Sequence, residues 1–168
     1  MLTISPARPD DAASMLLVHR DAILARAASH YPQSTLDAWA IGVTPERVAR
    51  FKQQIADPSF LILIAEAAGQ MIGIAMAVPS RQELRSLYVR PNSIGRVGSA
   101  LLSQLERQAF EIAGVLICDA SLNAAGFYRV HGYIEQGAVE HLLSSGVRVP
   151  CLRMQKARPA TFPPLPRG

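Results

Sequence analysis

The chain has 168 residues, 49% of them hydrophobic and 18% charged, with 17 Lys and Arg against 13 Asp and Glu for a net charge of +4. This length suits one domain with a real core, and no apolar run approaches the roughly 20 residues that cross a bilayer, which argues against a membrane partner. Lys and Arg are scattered rather than blocked, which argues against nucleic acid, while Cys118 and Cys151 are too few and too far apart for a disulfide framework or a zinc set.

Residues 1–6 carry no basic stretch followed by an apolar segment, so the protein is expected in the cytoplasm. Residues 2–5 alternate apolar and polar as a short strand, and Pro9-Asp10-Asp11 is a helix-start signature. Met15, Leu16, His19, Ala22 and Ile23 then recur at helical spacing, which turns His19 toward the core as a packed side chain. A second helix is predicted over 34–39. A third follows Thr44-Pro45-Glu46, an N-cap, a proline at the first helical position and an acid behind it.

Continuously apolar runs at 60–65 and 71–78, separated by Ala68-Gly69-Gln70, predict two antiparallel strands joined by a tight turn. Residues 84–89 form a third strand after Pro79, and 98–113 a helix with Leu101, Leu102, Leu105, Ala109 and Ile112 on its apolar side. A strand at 115–118 closes a strand, helix, strand unit, which requires a parallel pair. A short helix over 123–131 ends at Gly132, and two strands follow at 133–139 and 147–154. The predicted fold is α/β (α+β): a mixed, mostly antiparallel sheet of about seven strands with a parallel central pair, flanked by about four helices. Residues 1–156 form a single domain and 157–168 a proline-rich extended tail, with four of the 12 prolines after residue 158.

The segment from Val89 through Pro91, Ile94, Gly95, Val97 and Gly98 to Leu102 lies between a predicted strand and a predicted helix. Such a loop can offer several free backbone N–H groups to an anion at the positive end of a helix dipole. The bland alternative is a tight strand-to-helix turn. Leu87-Tyr88-Val89-Arg90-Pro91, followed by Gly95, Gly98 and Ala100-Leu101-Leu102, resembles the coenzyme A signature of the GNAT N-acetyltransferase superfamily. Ile94 stands where that signature usually has Gln or Arg, Val97 occupies a usual glycine position, and the loop is one residue shorter than the common form. A second match follows in the required order, where Asn123, Phe127-Tyr128 and Gly132-Tyr133 are similar to the family's next strand and helix.

The resemblance implies an N-acetyltransferase that moves an acetyl group from acetyl-CoA to a primary amine of a small molecule or protein, by direct attack in a ternary complex and without a metal. It also implies pairing of two copies. Its cofactor contacts would be Leu87, Tyr88, Val89, Gly95, Arg96, Val97, Gly98, Ser99, Ala100, Asn123 and Tyr128. Tyr128 would donate the proton to the leaving thiolate, the alternative being a packing tyrosine. A backbone N–H of Leu87 or Tyr88 would stabilise the oxyanion, a donor typically worth about 3–4 kcal/mol.

The base is drawn from Glu83, whose alternative is a solvated strand-end carboxylate, and His141, whose alternative is an exposed loop histidine. His30, Tyr31 and Trp39 lie where the acceptor pocket is built in the family, or else anchor a short helix to the core. A non-catalytic module that binds acetyl-CoA is the second function that these motifs allow. A dinucleotide oxidoreductase is disfavoured, because the glycine loop follows several antiparallel strands and no early glycine triplet with an acidic ribose partner is present.

Overall fold

A computed structural model describes residues 1–93 and 95–162. Ile94, singled out in the glycine loop, and the last six residues of the proline-rich tail lie outside them. Strands β1 (Leu2–Pro6), β2 (Leu61–Ala67), β3 (Gln70–Val78), β4 (Glu83–Val89), β5 (Val115–Ser121), β6 (Ile134–Leu142) and β7 (Arg148–Ala157) form one sheet in the order β1-β2-β3-β4-β5-β7-β6. Only β4 and β5 run parallel; every other neighbouring pair is antiparallel. The helices are α1 (Ala12–Arg26), α2 (Gln33–Trp39), α3 (Pro45–Ala56), α4 (Val97–Ala109) and α5 (Ala125–Val130).

Local chemistry accounts for the element ends. Thr44 Oγ1 accepts from Arg47 N at 3.3 Å and Pro45 occupies the first turn of α3, as the N-cap signature predicts. The β2–β3 hairpin is tighter than the predicted three-residue turn. Ala67 pairs with Gln70, leaving only Ala68 (φ 51°) and Gly69 (φ 72°) to reverse the chain, and two successive positive-φ residues match the strand twist. Helix α4 stops at Ala109, before the predicted 113, so Ile112 falls in the turn toward β5 and is 62% exposed instead of buried.

Helix α4 packs Leu101, Leu102 and Leu105 against Leu63, Ala75 and Leu116, and Tyr128 from α5 joins that core. The opposite sheet face carries Met15 and Val18 of α1 on Ile62, Ile64, Ile74 and Met76. At Gly73 on β3 a Cβ would lie 2.7 Å from Leu101 Cδ1, so the lack of a side chain there sets how closely α4 approaches the sheet. After β7, Phe162 turns its ring edge to Phe110, with centroids 5.7 Å apart.

Tyr31, between α1 and α2, is 6% exposed and spans two distant strands: its hydroxyl donates to Pro150 O at 2.6 Å and accepts from Leu122 N at 2.8 Å. Removing the hydroxyl takes away a part-buried bridge between an N–H and a carbonyl, at a cost of about 1 kcal/mol or more. Tyr31→Phe is therefore expected to lower the Tm by several degrees in thermal denaturation followed by circular dichroism. An unchanged Tm would mean that water replaces the bridge.

Candidate functional site

The parallel pair is joined at one end only. Glu83 and Ile117 are the sole register partners of β4 and β5, and Ile117 N donates to Gln82 O at 2.8 Å. Beyond that point the strands diverge. Arg90 N donates to Ile72 O at 2.8 Å, in the register that pairs Tyr88 with Ile74. Bonded and non-bonded positions alternate along an antiparallel ladder, so Tyr88 faces its backbone toward β3 while Leu87 and Val89 turn their N–H groups into the split. Of the two candidate oxyanion donors, Leu87 is the one whose N–H faces the gap.

Three clefts meet there. The first, about 310 Å³, runs from α1 past Leu87, Tyr88 and Val89 to the start of α4, and is closed by Asn123, Phe127 and Tyr128. The second, about 290 Å³, occupies the split itself, between β4 and β5 with β7 beyond. A third, about 330 Å³, opens between α3, β3 and β4 and the end of β6. Trp39 and Tyr88 line all three. Leu87 and Tyr128 line the first and second.

The first cleft has the features of an anion site. Arg96, at the N-cap of α4, offers no side-chain cap, and the first helical bond of α4 here is Ala100 N to Arg96 O at 2.9 Å. The N–H groups of Val97, Gly98 and Ser99 therefore have no intrahelical acceptor, and the helix dipole adds positive potential to them. Gly95 holds φ 89°, a conformation that glycine adopts freely. A Cβ on Gly98 would sit at an ordinary contact distance, 3.4 Å, from the Phe127 ring, so the helix start faces α5. Asn123 Oδ1 is buried in the same cleft without a partner, an acceptor waiting for a donor.

His131 ties this edge together. Its Nδ1 lies 2.8 Å from Phe127 O, which can only accept, so Nδ1 carries the proton. Nε2 hydrogen-bonds Ser99 Oγ at 3.0 Å. Helix α4 and the helix that carries Tyr128 are thus joined through one imidazole. Sequence reasoning placed His131 only as a spacer within the second motif; its position four residues after Phe127 on one helical face was the available signal.

Tyr128 is 5% exposed, with ring edges packed against Phe127 and Tyr133 at centroid separations of 5.3 Å. Burial, then Cys118, Tyr88 and Glu106, hold its hydroxyl pKa well above the ordinary value. The Tyr88 phenol is likewise raised by burial, against a hydrogen bond from Trp39. Cys118 and Cys151 are buried on the second cleft's wall, where desolvation first and Asp119 second push their thiols up to about 12 and about 11.

The remaining candidates divide. Trp39 reaches the site. His30 and Tyr31 line none of the three clefts: His30 is exposed, with Nδ1 2.9 Å from Ser29 Oγ, and Tyr31 is the strand bridge described above. Glu83 lines the second cleft and is paired with Arg85 at 3.3 Å. His141 is exposed and lines the second and third clefts. The third cleft and its arginines, Arg47, Arg50 and Arg85, were not singled out from the sequence, where they read as solvated charges.

A sheet split at a parallel pair, beside an uncapped helix start and a dry tyrosine, defines the fold of the GCN5-related N-acetyltransferases. The chain belongs to that family: residues 27–156 match the Acetyltransferase (GNAT) domain. Among solved structures, it is 30% identical to a GCN5-related N-acetyltransferase from Rhodopseudomonas palustris, over 92% of this chain and 94% of that one, with a TM-score of 0.81. A ribosomal-protein-alanine N-acetyltransferase from Brucella melitensis is 26% identical over 92% and 99%, with a TM-score of 0.68. A putative acetyltransferase from Salmonella typhimurium, solved with its cofactor acetyl-CoA, is 21% identical over 98% of both chains, also at 0.68. A search of curated protein sequences returns no match. Among the described residues no helix is long and apolar enough to cross a membrane, and no three His, Cys, Asp or Glu side chains gather as a metal site.

His19, on the wall of the third cleft, gives the site a measurable pH signature. Burial first, then the charges of Arg47 and Arg50, lower its pKa from 6.5 to about 4, and its ring packs edge-on to Tyr88 at 4.6 Å. Between those values the unfolded chain binds the proton and the folded chain does not. Stability is therefore complete above pH 6.5 and falls as the pH drops toward 4, by up to about 3 kcal/mol from this residue. Urea unfolding across that window should show a steeper loss for the wild type than for His19→Gln, and parallel curves would remove His19 as the cause.

Proposed function

We propose that the protein transfers the acetyl group of acetyl-CoA to a primary amine of a small molecule or protein, by direct attack within a ternary complex. The observation that carries this reading is the split between β4 and β5, which joins an anion-favouring cleft to a second cleft, with Tyr128 and Leu87 lining both. The Salmonella neighbour, solved with acetyl-CoA, supports the cofactor. The Brucella neighbour is by name an acetyltransferase of a protein alanine, an amine acceptor.

The first cleft fits the cofactor. The N–H groups of Val97, Gly98 and Ser99, which have no intrahelical acceptor, would hold its pyrophosphate, with Gly95, Arg96 and Ala100 shaping the same helix start. Asn123 Oδ1 would accept from an amide of its arm. Tyr88 and Val89 complete the wall. When bound, the cofactor supplies an acetyl group activated as a thioester.

The chain's own groups then have separate tasks. Leu87 N–H, unbonded by the sheet, meets the negative charge that develops on the acyl oxygen. Tyr128, kept as a neutral phenol by its dry surroundings, delivers a proton to the departing sulfur. His141 takes the proton from the amine, because it stands on both clefts open to the acceptor and makes no side-chain hydrogen bond among the described residues. Glu83 is the poorer base, since its carboxylate is already paired with Arg85.

Tyr128→Phe should cut kcat by about 10²-fold or more while moving the KM for acetyl-CoA little, measured as thiol release over an amine panel. Retention of full activity would remove Tyr128 as the acid. In the same assay His141→Ala should lower kcat/KM by about 10²-fold, with Glu83→Gln costing less. The reverse order would hand the proton to Glu83.

A further inference from the structure

The third cleft is not needed to hold the cofactor, and its chemistry points elsewhere. Arg47, Arg50 and Arg85 line it with His19 and His141, and no carboxylate does. Arg47 and Arg50 stand three residues apart on α3, a spacing that puts them on one helix face, where like charges repel. Among the described residues neither has a carboxylate within ion-pair distance. Arg47 is anchored instead: its Nη1 donates to Ile41 O and, at 2.9 Å, to Gly42 O.

Two further features agree with this concentration of charge. Burial, and then the field of Arg50, lower the Arg47 pKa, and both guanidiniums depress His19. His19 Nδ1 and Gln54 Oε1, on the cleft wall, are buried polar atoms without a partner. A protein that holds two uncompensated guanidiniums over an apolar floor of Phe51, Ile74 and Met76 is built to be completed by an anion.

The connection of the clefts decides which anion. The third shares Trp39, Arg85, Ser86, Tyr88 and His141 with the second, where the amine must arrive, but only Trp39 and Tyr88 with the cofactor cleft. Cofactor phosphates already have the start of α4. Resting on the acetyltransferase reading above, we infer that the third cleft binds the carboxylate of the acceptor, and that the acceptor is a free amino carboxylate of the amino-acid class. The carboxylate sits on Arg47 and Arg50, with Arg85 at the mouth of the split, and the amine points past His141 toward Leu87 N–H. Carboxylate recognition by guanidinium is bidentate, so loss of one arginine weakens it sharply.

The experiment compares the common amino acids with their carboxamides and decarboxylated amines, measuring acetyl-CoA-dependent thiol release by the full chain, with acetyl-CoA binding followed separately by calorimetry. At least one amino acid should exceed its carboxamide by about 100-fold in kcat/KM. Arg50→Ala, an exposed position that leaves the core intact, should shrink that ratio at least tenfold, mainly through the KM of the amino acid. Arg107→Ala, on the outer face of α4, should leave the ratio alone. Neutral amines, or peptides with free N-termini, used as well as or in preference to amino acids would overturn the inference, as would an unchanged ratio in Arg50→Ala. So would acetyl-CoA binding with no amino acid acetylated. Failure to bind acetyl-CoA at all would instead sink the transferase reading on which the inference rests.

Discussion

Everything in this molecule that can do chemistry depends on two parallel strands meeting at one residue pair and then parting. A regular pairing of β4 with β5 would consume the Leu87 and Val89 N–H groups in a ladder and bury them. With Glu83 and Ile117 as the only partners, those donors face a slot. Unpaired backbone donors are costly to bury, so the divergence has to be held by something stronger than the two strands. On the β5 side it is held by Tyr31, which fixes Leu122 N and Pro150 O through one hydroxyl. On the β4 side Tyr88 stays in register with Ile74, and Trp39 stands with it where the three clefts meet.

The electrostatics of the clefts follow from different sources, which is why they can serve different partners. In the first, positive potential comes from main-chain N–H groups at the start of α4, fixed in direction and indifferent to pH. In the third it comes from guanidiniums on α3 and β4, charges that stay on at any working pH. The split between them carries charges of both signs, Glu83 and Asp119 beside Arg85 and Arg153, and its walls include buried thiols and a buried phenol whose pKa values are all pushed up. A passage that pairs its own charges, Glu83 with Arg85 and Asp119 with Arg153, suits a reaction in which charge develops only transiently at the middle.

The parts that could be read from the sequence are those whose meaning is local. The glycine loop is a strand, a turn and a helix start within fourteen residues, and Gly95 and Gly98 announce it without tertiary knowledge. The mixed sheet with its parallel pair was legible for a similar reason, since a strand, helix, strand unit admits few topologies. The bridging role of Tyr31 was not legible, because its partners Pro150 O and Leu122 N lie more than 90 residues away and no periodicity reports them. Arg47 and Arg50 were invisible for the opposite reason. On α3 alone they look like an ordinary solvated face, and they become a cleft wall only when β4 and the end of β6 fold across from them.

The coupling between α4 and α5 explains why the cofactor cleft and the proton donor need not be treated as separate features. Ser99 contributes its N–H to the helix start and its hydroxyl to His131, whose other nitrogen holds the carbonyl of Phe127, the residue before Tyr128. The imidazole can perform both tasks only with a proton on Nδ1, because a carbonyl can accept but not donate, whereas the Ser99 hydroxyl can do either. A shift of the helix start against the sheet is therefore passed to α5 through this imidazole. The geometry that grips an anion and the geometry that places the phenol beside the split are thus set by the same few contacts.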